Sequence, residues 1–128
     1  MKRVTILNID YPRLPIESLR VAGIECTELF GPEPSGGAFV LSDERYAWLL
    51  SVFAQYESDE IDLIVLGNNM GVGLSVGEMI PLPLREKTIV MRLSRWLDEE
   101  REPYQKLGYS RFGQKMSALE HIKDFFEQ

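Results

Sequence analysis

The stretch Leu63-Ile-Val-Leu-Gly-Asn-Asn-Met-Gly-Val-Gly73 decides the fold of this chain. Its first four residues are a short apolar run, which is typical of a strand that is buried on both faces of a parallel sheet. The glycines at positions 67, 71 and 73 favour a tight turn after that strand. A buried strand that runs through a turn into a helix is half of a βαβ unit, so the chain is predicted to be an α/β protein.

Similar strand and helix patterns alternate along the rest of the chain. Runs of apolar, β-branched residues predict strands at 4–9, 24–30, 63–66 and 87–91, with a weaker one at 109–112. Helical spacing and capping residues predict helices at 16–21, from 42 to about 56, at 75–80, from 94 to about 106, and from 117 onward. Pro103 is expected to break or kink the fourth of these helices.

Alternation of this kind requires parallel strands that are joined by right-handed crossovers. The expected fold is a three-layer α/β/α arrangement around a five-stranded parallel sheet with the flavodoxin-like order 2-1-3-4-5. A Rossmann-like variant is the alternative. No repeat or long linker divides the sequence, so residues 1–128 are predicted to be a single α/β domain.

Composition narrows the classes of partner. The net charge of −6 argues against nucleic acid or an anionic membrane as a partner, because both attract basic surfaces. No apolar run approaches the roughly 20 residues of a membrane span, and the single cysteine, Cys26, excludes an internal disulfide. The acidic stretches at 57–62 and 98–102 are expected to be solvated, so no metal site is predicted. These features together predict a cytoplasmic protein.

A ligand site is predicted where the strand order reverses. In an open parallel sheet, ligands bind beyond the carboxyl ends of the strands at that point, which lies here between the first and third strands. Glycines there allow close approach, and the start of a helix offers free N–H groups to a phosphate or carboxylate. The predicted small-molecule site comprises Asn8, Asp10 and Tyr11 after the first strand, and Asn68, Asn69, Gly71, Gly73 and Ser75 after the third. The alternative is a set of tight turns that bind nothing.

Several known motifs do not match these loops. No Gly-Lys-Ser/Thr follows the third strand, and the glycine spacing departs from the dinucleotide fingerprint. A response-regulator receiver needs a phosphoacceptor Asp at the end of strand three, where Gly67 stands, and a Lys after strand five, where Arg111-Phe112 stands. A flavodoxin needs a Ser/Thr-rich loop after strand one, where Asp10-Tyr-Pro-Arg13 stands. The sequence therefore predicts neither phosphorelay signalling nor bound NAD, ATP or FMN, and no cofactor is expected.

Glu78 is the candidate catalytic residue, because it lies one turn into the helix predicted after the third strand. Its carboxylate has the chemistry of a nucleophile or general base toward a bound sugar. The alternative is a glutamate near a helix N-terminus that the helix dipole stabilises.

Three stretches within a region of about 30 residues resemble the nucleoside 2-deoxyribosyltransferase-like group: Asp62-Leu-Ile-Val-Leu-Gly-Asn-Asn69, Gly73-Leu-Ser-Val-Gly-Glu78 and Lys87-Thr-Ile-Val90. The resemblance implies that Glu78 attacks the sugar C1′ while the base departs. It also implies that Asn68 or Asn69 stands where the family presents an Asp, and that Tyr11 corresponds loosely to an aromatic residue after strand one. Such domains often complete their sites across subunits, which implies a homo-oligomer.

Two functions remain open at this point. The first is an enzyme that binds a nucleotide- or nucleoside-like ligand and cleaves or transfers an N-glycosidic bond; it requires Glu78 and Asn68 or Asn69 to converge on one pocket. The second is a non-catalytic ligand-sensing or protein-interaction domain; it requires Glu78 to face solvent or to form a salt bridge. The positions of these side chains separate the two hypotheses.

Overall fold

A computed structural model describes residues 1–9, 13–32, 42–68 and 72–127 of the chain. The strands are β1 (Lys2–Ile9), β2 (Ile24–Phe30), β3 (Leu63–Gly67), β4 (Thr88–Arg92) and β5 (Arg111–Gln114). The helices are α1 (Ile16–Val21), α2 (Asp43–Gln55), α3 (Val72–Met79), α4 (Leu82–Arg85), α5 (Asp98–Lys106) and α6 (Ala118–Glu127), with a 3₁₀ turn (Lys115–Ser117) before the last. In the described part of the chain no helix is long and apolar enough to cross a membrane.

The five strands form one parallel sheet in the order β2-β1-β3-β4-β5. This is the predicted flavodoxin-like order, and the Rossmann-like alternative is wrong. The apolar runs explain the arrangement, because β3 is buried at every residue and lies in the centre of the sheet. The alternating strand β2 lies at one edge, as its half-exposed pattern predicts.

Alternate residues of each strand face opposite layers of helices, which produces two cores. On one face, strand residues such as Ile64 and Leu66 pack with buried residues of α2, α3 and α5. On the other face, strand residues such as Val65 and Met91 pack with Leu19 of α1 and Ile122 of α6. Side chains near the carboxyl ends of β1, β3 and β4 therefore face one of two separate helix layers.

Helix α3 begins at Val72, three residues before the predicted start at Ser75, so Gly73 belongs to the helix and not to the preceding loop. A Cβ atom at Gly73 would lie 2.7 Å from the Gly67 carbonyl oxygen and even closer to the Tyr104 hydroxyl. A Cβ at Gly77 would lie 3.3 Å from the Tyr109 ring. These two glycines permit close packing of α3 against tyrosines from a later part of the chain.

The last strand also differs from its prediction, since β5 begins two residues later than expected. The sequence pattern places Tyr109 in this strand, but Tyr109 precedes it; its ring is buried and its hydroxyl donates to the Gly77 carbonyl at 2.6 Å. Gln114 is consequently the last residue of β5, and Lys115 follows the strand directly.

Helix α5 begins at Asp98, four residues after the predicted cap at Ser94, and it continues through Pro103. Trp96 lies before the helix, where its indole N–H donates to the Gly113 carbonyl at 2.9 Å in a buried position. The segment with Pro81 and Pro83 forms the short helix α4. Both prolines are tolerated because the first residues of a helix need no intrahelical acceptor for their N–H groups.

Candidate functional site

Asn8 is buried near the carboxyl end of β1, and its amide is held by a neighbouring strand. Its Nδ2 donates to Glu28 Oε2 of β2 at 2.8 Å. The same carboxylate accepts from the Leu14 N–H at 3.0 Å and from Arg13 Nε at 2.9 Å. The Glu28 side chain is 3% exposed, whereas that of Arg13 is 64% exposed. Glu28 therefore joins β1, β2 and the segment that leads into α1.

Sequence reasoning missed Glu28, although a signal for it exists. A polar residue such as Asn8 inside an apolar strand needs a hydrogen-bonding partner, because burial of an unpaired amide is costly. The partner lies 20 residues away in sequence, and the pattern of a single strand does not identify it.

A cavity of about 260 Å³ lies next to Asn8, between the α1 and α6 segments. Asn8, Val65 and Met91 line it from the sheet, and Arg13 and Lys115 line it from the flanking segments. Its walls are mainly apolar. Arg13 carries a positive charge at this cavity but is already paired with Glu28.

The end of β3 is engaged by helix α5. Asn68 follows the strand, and its Oδ1 accepts from the Tyr104 hydroxyl at 2.6 Å. Tyr104 is buried, and burial raises the pKa of its phenol well above the usual value, with a smaller contribution from Tyr109. The hydroxyl thus stays protonated and donates. Asn68, a predicted ligand residue, is therefore hydrogen-bonded to another side chain of the protein.

Ser75 and Glu78 are exposed on α3, and Glu78 lines a different depression from Asn8. This depression is a groove of about 470 Å³ between α3 and α5, and Asn68 is not among the described residues that line it. The convergence required by the enzyme hypothesis is therefore not seen for Asn68 and Glu78. The predicted residues Asp10, Tyr11, Asn69 and Gly71 lie outside the described residues.

Cys26 on β2 is half-buried. Burial, with a smaller effect of the nearby Glu28 carboxylate, raises the pKa of its thiol to about 11. A thiol that stays protonated at neutral pH is a poor nucleophile. Within the described residues, no group of three or more His, Cys, Asp and Glu side chains is arranged to hold a metal ion.

No protein-family model and no curated protein matches the sequence. The fold, however, is similar to that of solved response regulators. An orphan response regulator of H. pylori superposes with a TM-score of 0.58 over 97% of this chain and 93% of that chain, at 14% identity. A response regulator from Thermotoga maritima gives a TM-score of 0.58 over 98% and 99%, at 15% identity. At such low sequence identity, these superpositions establish a shared fold and no more, and that fold is the flavodoxin-like class.

The resemblance to the nucleoside 2-deoxyribosyltransferase-like group is wrong, because the similar solved structures are response regulators. The nucleoside-binding and N-glycosidic function is wrong with it, and a nucleotide or other small-molecule ligand is not supported. The matching residues were a buried strand, glycines and an exposed glutamate, which many parallel α/β proteins contain. The glycines at 73 and 77 instead make room for tyrosines. The catalytic role of Glu78 loses its basis.

A receiver is expected to carry an Asp at the end of strand three and a Lys after strand five. The structure agrees with the sequence at the first position and differs at the second. Gly67 does end β3, so the position expected for a phosphoacceptor Asp has no side chain. The expected Lys, in contrast, is present: β5 ends at Gln114, and Lys115 comes immediately after it. The predicted strand ends at Phe112, two residues before the observed end of β5, and this difference explains why Lys115 is not identified from the sequence.

Proposed function

We propose that this chain is a receiver-like protein-interaction domain that acts without being phosphorylated. The observation that carries the proposal is Gly67 at the end of β3. A phosphoacceptor at that position needs a carboxylate, and glycine offers none. The fold similarity to response regulators and the placement of Lys115 after β5 support the receiver-like part of the proposal.

The polar groups at the carboxyl end of the sheet support a role in binding rather than in chemistry. Asn8 is bonded to Glu28, and Asn68 is bonded to Tyr104. Glu78 is exposed, which is what the non-catalytic hypothesis requires. Such internal hydrogen bonds fix the positions of these side chains and so preserve the shape of the surface.

The proposed partner is a protein, which includes a second copy of this chain, and not a small molecule. We also propose that residues 1–128 act as a single domain in the cytoplasm. The net charge of −6 favours partners with basic surfaces over nucleic acid or anionic lipid.

Intact-protein mass spectrometry after incubation with acetyl phosphate and Mg²⁺ tests the proposal. We expect the mass of the chain to stay unchanged, while a receiver that has its phosphoacceptor Asp gains one phosphoryl group under the same conditions. A stoichiometric gain by this chain, mapped to any Asp or Glu at the carboxyl end of the sheet, would overturn the phosphorylation-independent function.

A further inference from the structure

The groove between α3 and α5 has an apolar floor that is open to solvent. Leu74 of α3 and Leu107 at the end of α5 are half-buried and pack against the core below. Pro103 of α5 is exposed and lines the same groove. A floor of this type buries an apolar side chain from a partner at little cost, since its own atoms are already fixed by the core.

The rim of the groove is acidic. Glu78 of α3 and Glu99 and Glu102 of α5 line it, with Lys106 as the basic lining residue. Lys106 is paired with Glu102 at 3.2 Å. Among the described residues, the Glu78 and Glu99 carboxylates have no ion-pair partner within 4.0 Å. Two uncompensated carboxylates therefore flank the apolar floor.

The basic side chains near the groove already have other partners. Arg101 pairs with Asp98, and Arg92 pairs with Glu100, so neither neutralises the rim. Arg85 lies at the end of the groove, where its guanidinium donates to the backbone carbonyls of Glu78, Ile80 and Leu107 at 3.1, 2.9 and 2.6 Å. These bonds hold the ends of α3 and α5 together and leave the Glu78 carboxylate free.

The two walls of the groove are fixed relative to each other at both ends. Before the start of α3, Tyr104 of α5 donates to Asn68. Near the end of α3, Tyr109 donates to the Gly77 carbonyl, and Arg85 contacts carbonyls at the ends of both helices. A groove with fixed walls loses little conformational entropy when a partner enters it, which favours affinity.

From the apolar floor and the acidic rim, we infer that this groove docks a short basic amphipathic segment of a partner protein. The inference rests on the proposed function and adds its surface and its partner class. The segment carries an apolar side chain for the floor and Lys or Arg residues for Glu78 and Glu99. Helix α3 has eight residues, about 12 Å of length, so the groove accommodates about two turns of a bound helix.

The probe for this docking is a fluorescein-labelled helical peptide of about ten residues, in which two leucines on one face are flanked by Lys and Arg. Fluorescence anisotropy measures its binding at low and physiological salt. We expect saturable binding that weakens as salt increases, because the rim charges are exposed and screened. A matched peptide with serine in place of both leucines is expected to bind at least tenfold more weakly.

Charge reversal locates the contact. The double variant Glu78→Lys with Glu99→Lys is expected to reduce affinity for the probe about tenfold or more. The matched control, Glu120→Lys with Glu127→Lys on α6, makes the same change in net charge on the opposite layer and is expected to leave affinity within about twofold. Thermal unfolding of both variants checks that each is folded.

Three results would overturn the docking inference: no saturable binding, equal loss of affinity in the α6 control, or equal binding of the serine peptide. The acetyl phosphate experiment is independent of all three. If the chain remains unphosphorylated but the probe does not bind, the groove assignment fails and the proposed function stands. If the chain is phosphorylated, the proposed function fails whatever the peptide does.

Discussion

The Tyr104 hydroxyl donates a 2.6 Å hydrogen bond to Asn68 Oδ1 and so ties helix α5 to the residue that follows β3. The two residues are 36 positions apart in sequence. Tyr104 also makes edge contacts with Trp96, Tyr109 and Phe112, so its ring is the centre of an aromatic cluster beneath α5. The polar contact at its tip fixes the height of this cluster relative to the end of the sheet.

Removal of that hydroxyl is expected to destabilise the fold moderately. Tyr104→Phe keeps the ring but leaves Asn68 Oδ1 without its donor, which costs about 1 kcal/mol of the free energy of unfolding. Urea denaturation followed by circular dichroism measures the change. Tyr46→Phe on the exposed side of α2 is the control and should shift stability by less than about 0.5 kcal/mol. Equal effects of the two variants would show that the Tyr104 bond contributes nothing specific.

Gly73→Ala should be more damaging, although alanine is the better helix former. The new Cβ would meet the Gly67 carbonyl oxygen at 2.7 Å, and that atom belongs to the backbone of β3. We expect a loss of at least about 2 kcal/mol, which exceeds the gain of about 1 kcal/mol in helix propensity. Ser75→Ala on the exposed side of the same helix is the control and should be neutral or slightly stabilising. A stable Gly73→Ala protein would contradict the close approach of α3 to β3.

These contacts show why the sheet was predictable and the site was not. The strand positions follow from apolar runs, which are local in the sequence, and the strand order follows from the alternation of strands and helices. The local pattern favours a ligand loop at Gly73, since its neighbour in the structure, Tyr104, is brought there only by the folded chain. In the same way, Asn8 was recognised as a polar residue at a strand end, but its partner Glu28 depends on the pairing of β1 with β2.

The error in β5 has a related cause. Tyrosine is common in strands, so 109–112 fits a short strand by composition. Tyr109 instead follows α5, and its hydroxyl donates to the carbonyl of Gly77, which lies 32 residues earlier in sequence. Because β5 ends at Gln114 and not at Phe112, Lys115 is the residue that directly follows the strand. Hydrogen-bond pairing with the neighbouring strand sets the bounds of a strand, and the residue pattern of a single segment does not reveal that pairing.

Glu28 is expected to be the most important buried acidic residue for stability. Glu28→Ala removes the acceptor used by Asn8 Nδ2, by the Leu14 N–H and by Arg13. Buried donors that lose an acceptor are costly, and we expect a loss of roughly 2–4 kcal/mol in the free energy of unfolding. Glu25→Ala on the same strand is the matched control, because its contact with Arg3 is 3.9 Å long and exposed. Its removal should change stability by less than about 1 kcal/mol.

The Cys26 thiol provides a test at alkaline pH. Burial raises its pKa from 9.0 to about 11, so the folded state holds the thiol proton more tightly than the unfolded state does. The stabilising contribution of the protonated thiol is complete below about pH 9 and decreases as the pH rises toward about 11. We also expect the native thiol to react slowly with iodoacetamide at pH 8 and faster toward pH 11, whereas the unfolded chain reacts with the profile of an ordinary thiol.

Mass spectrometry of the alkylated chain, with and without urea, measures both profiles. The pKa values of Tyr104 and Tyr109 are raised as well, mainly by burial, so their ionisation also lowers stability at high pH. Cys26→Ser separates the contributions, because the variant keeps the tyrosine component and loses the part between about pH 9 and 11. A native thiol that reacts at pH 8 as fast as the unfolded one would show that β2 does not bury Cys26 at the edge of the sheet.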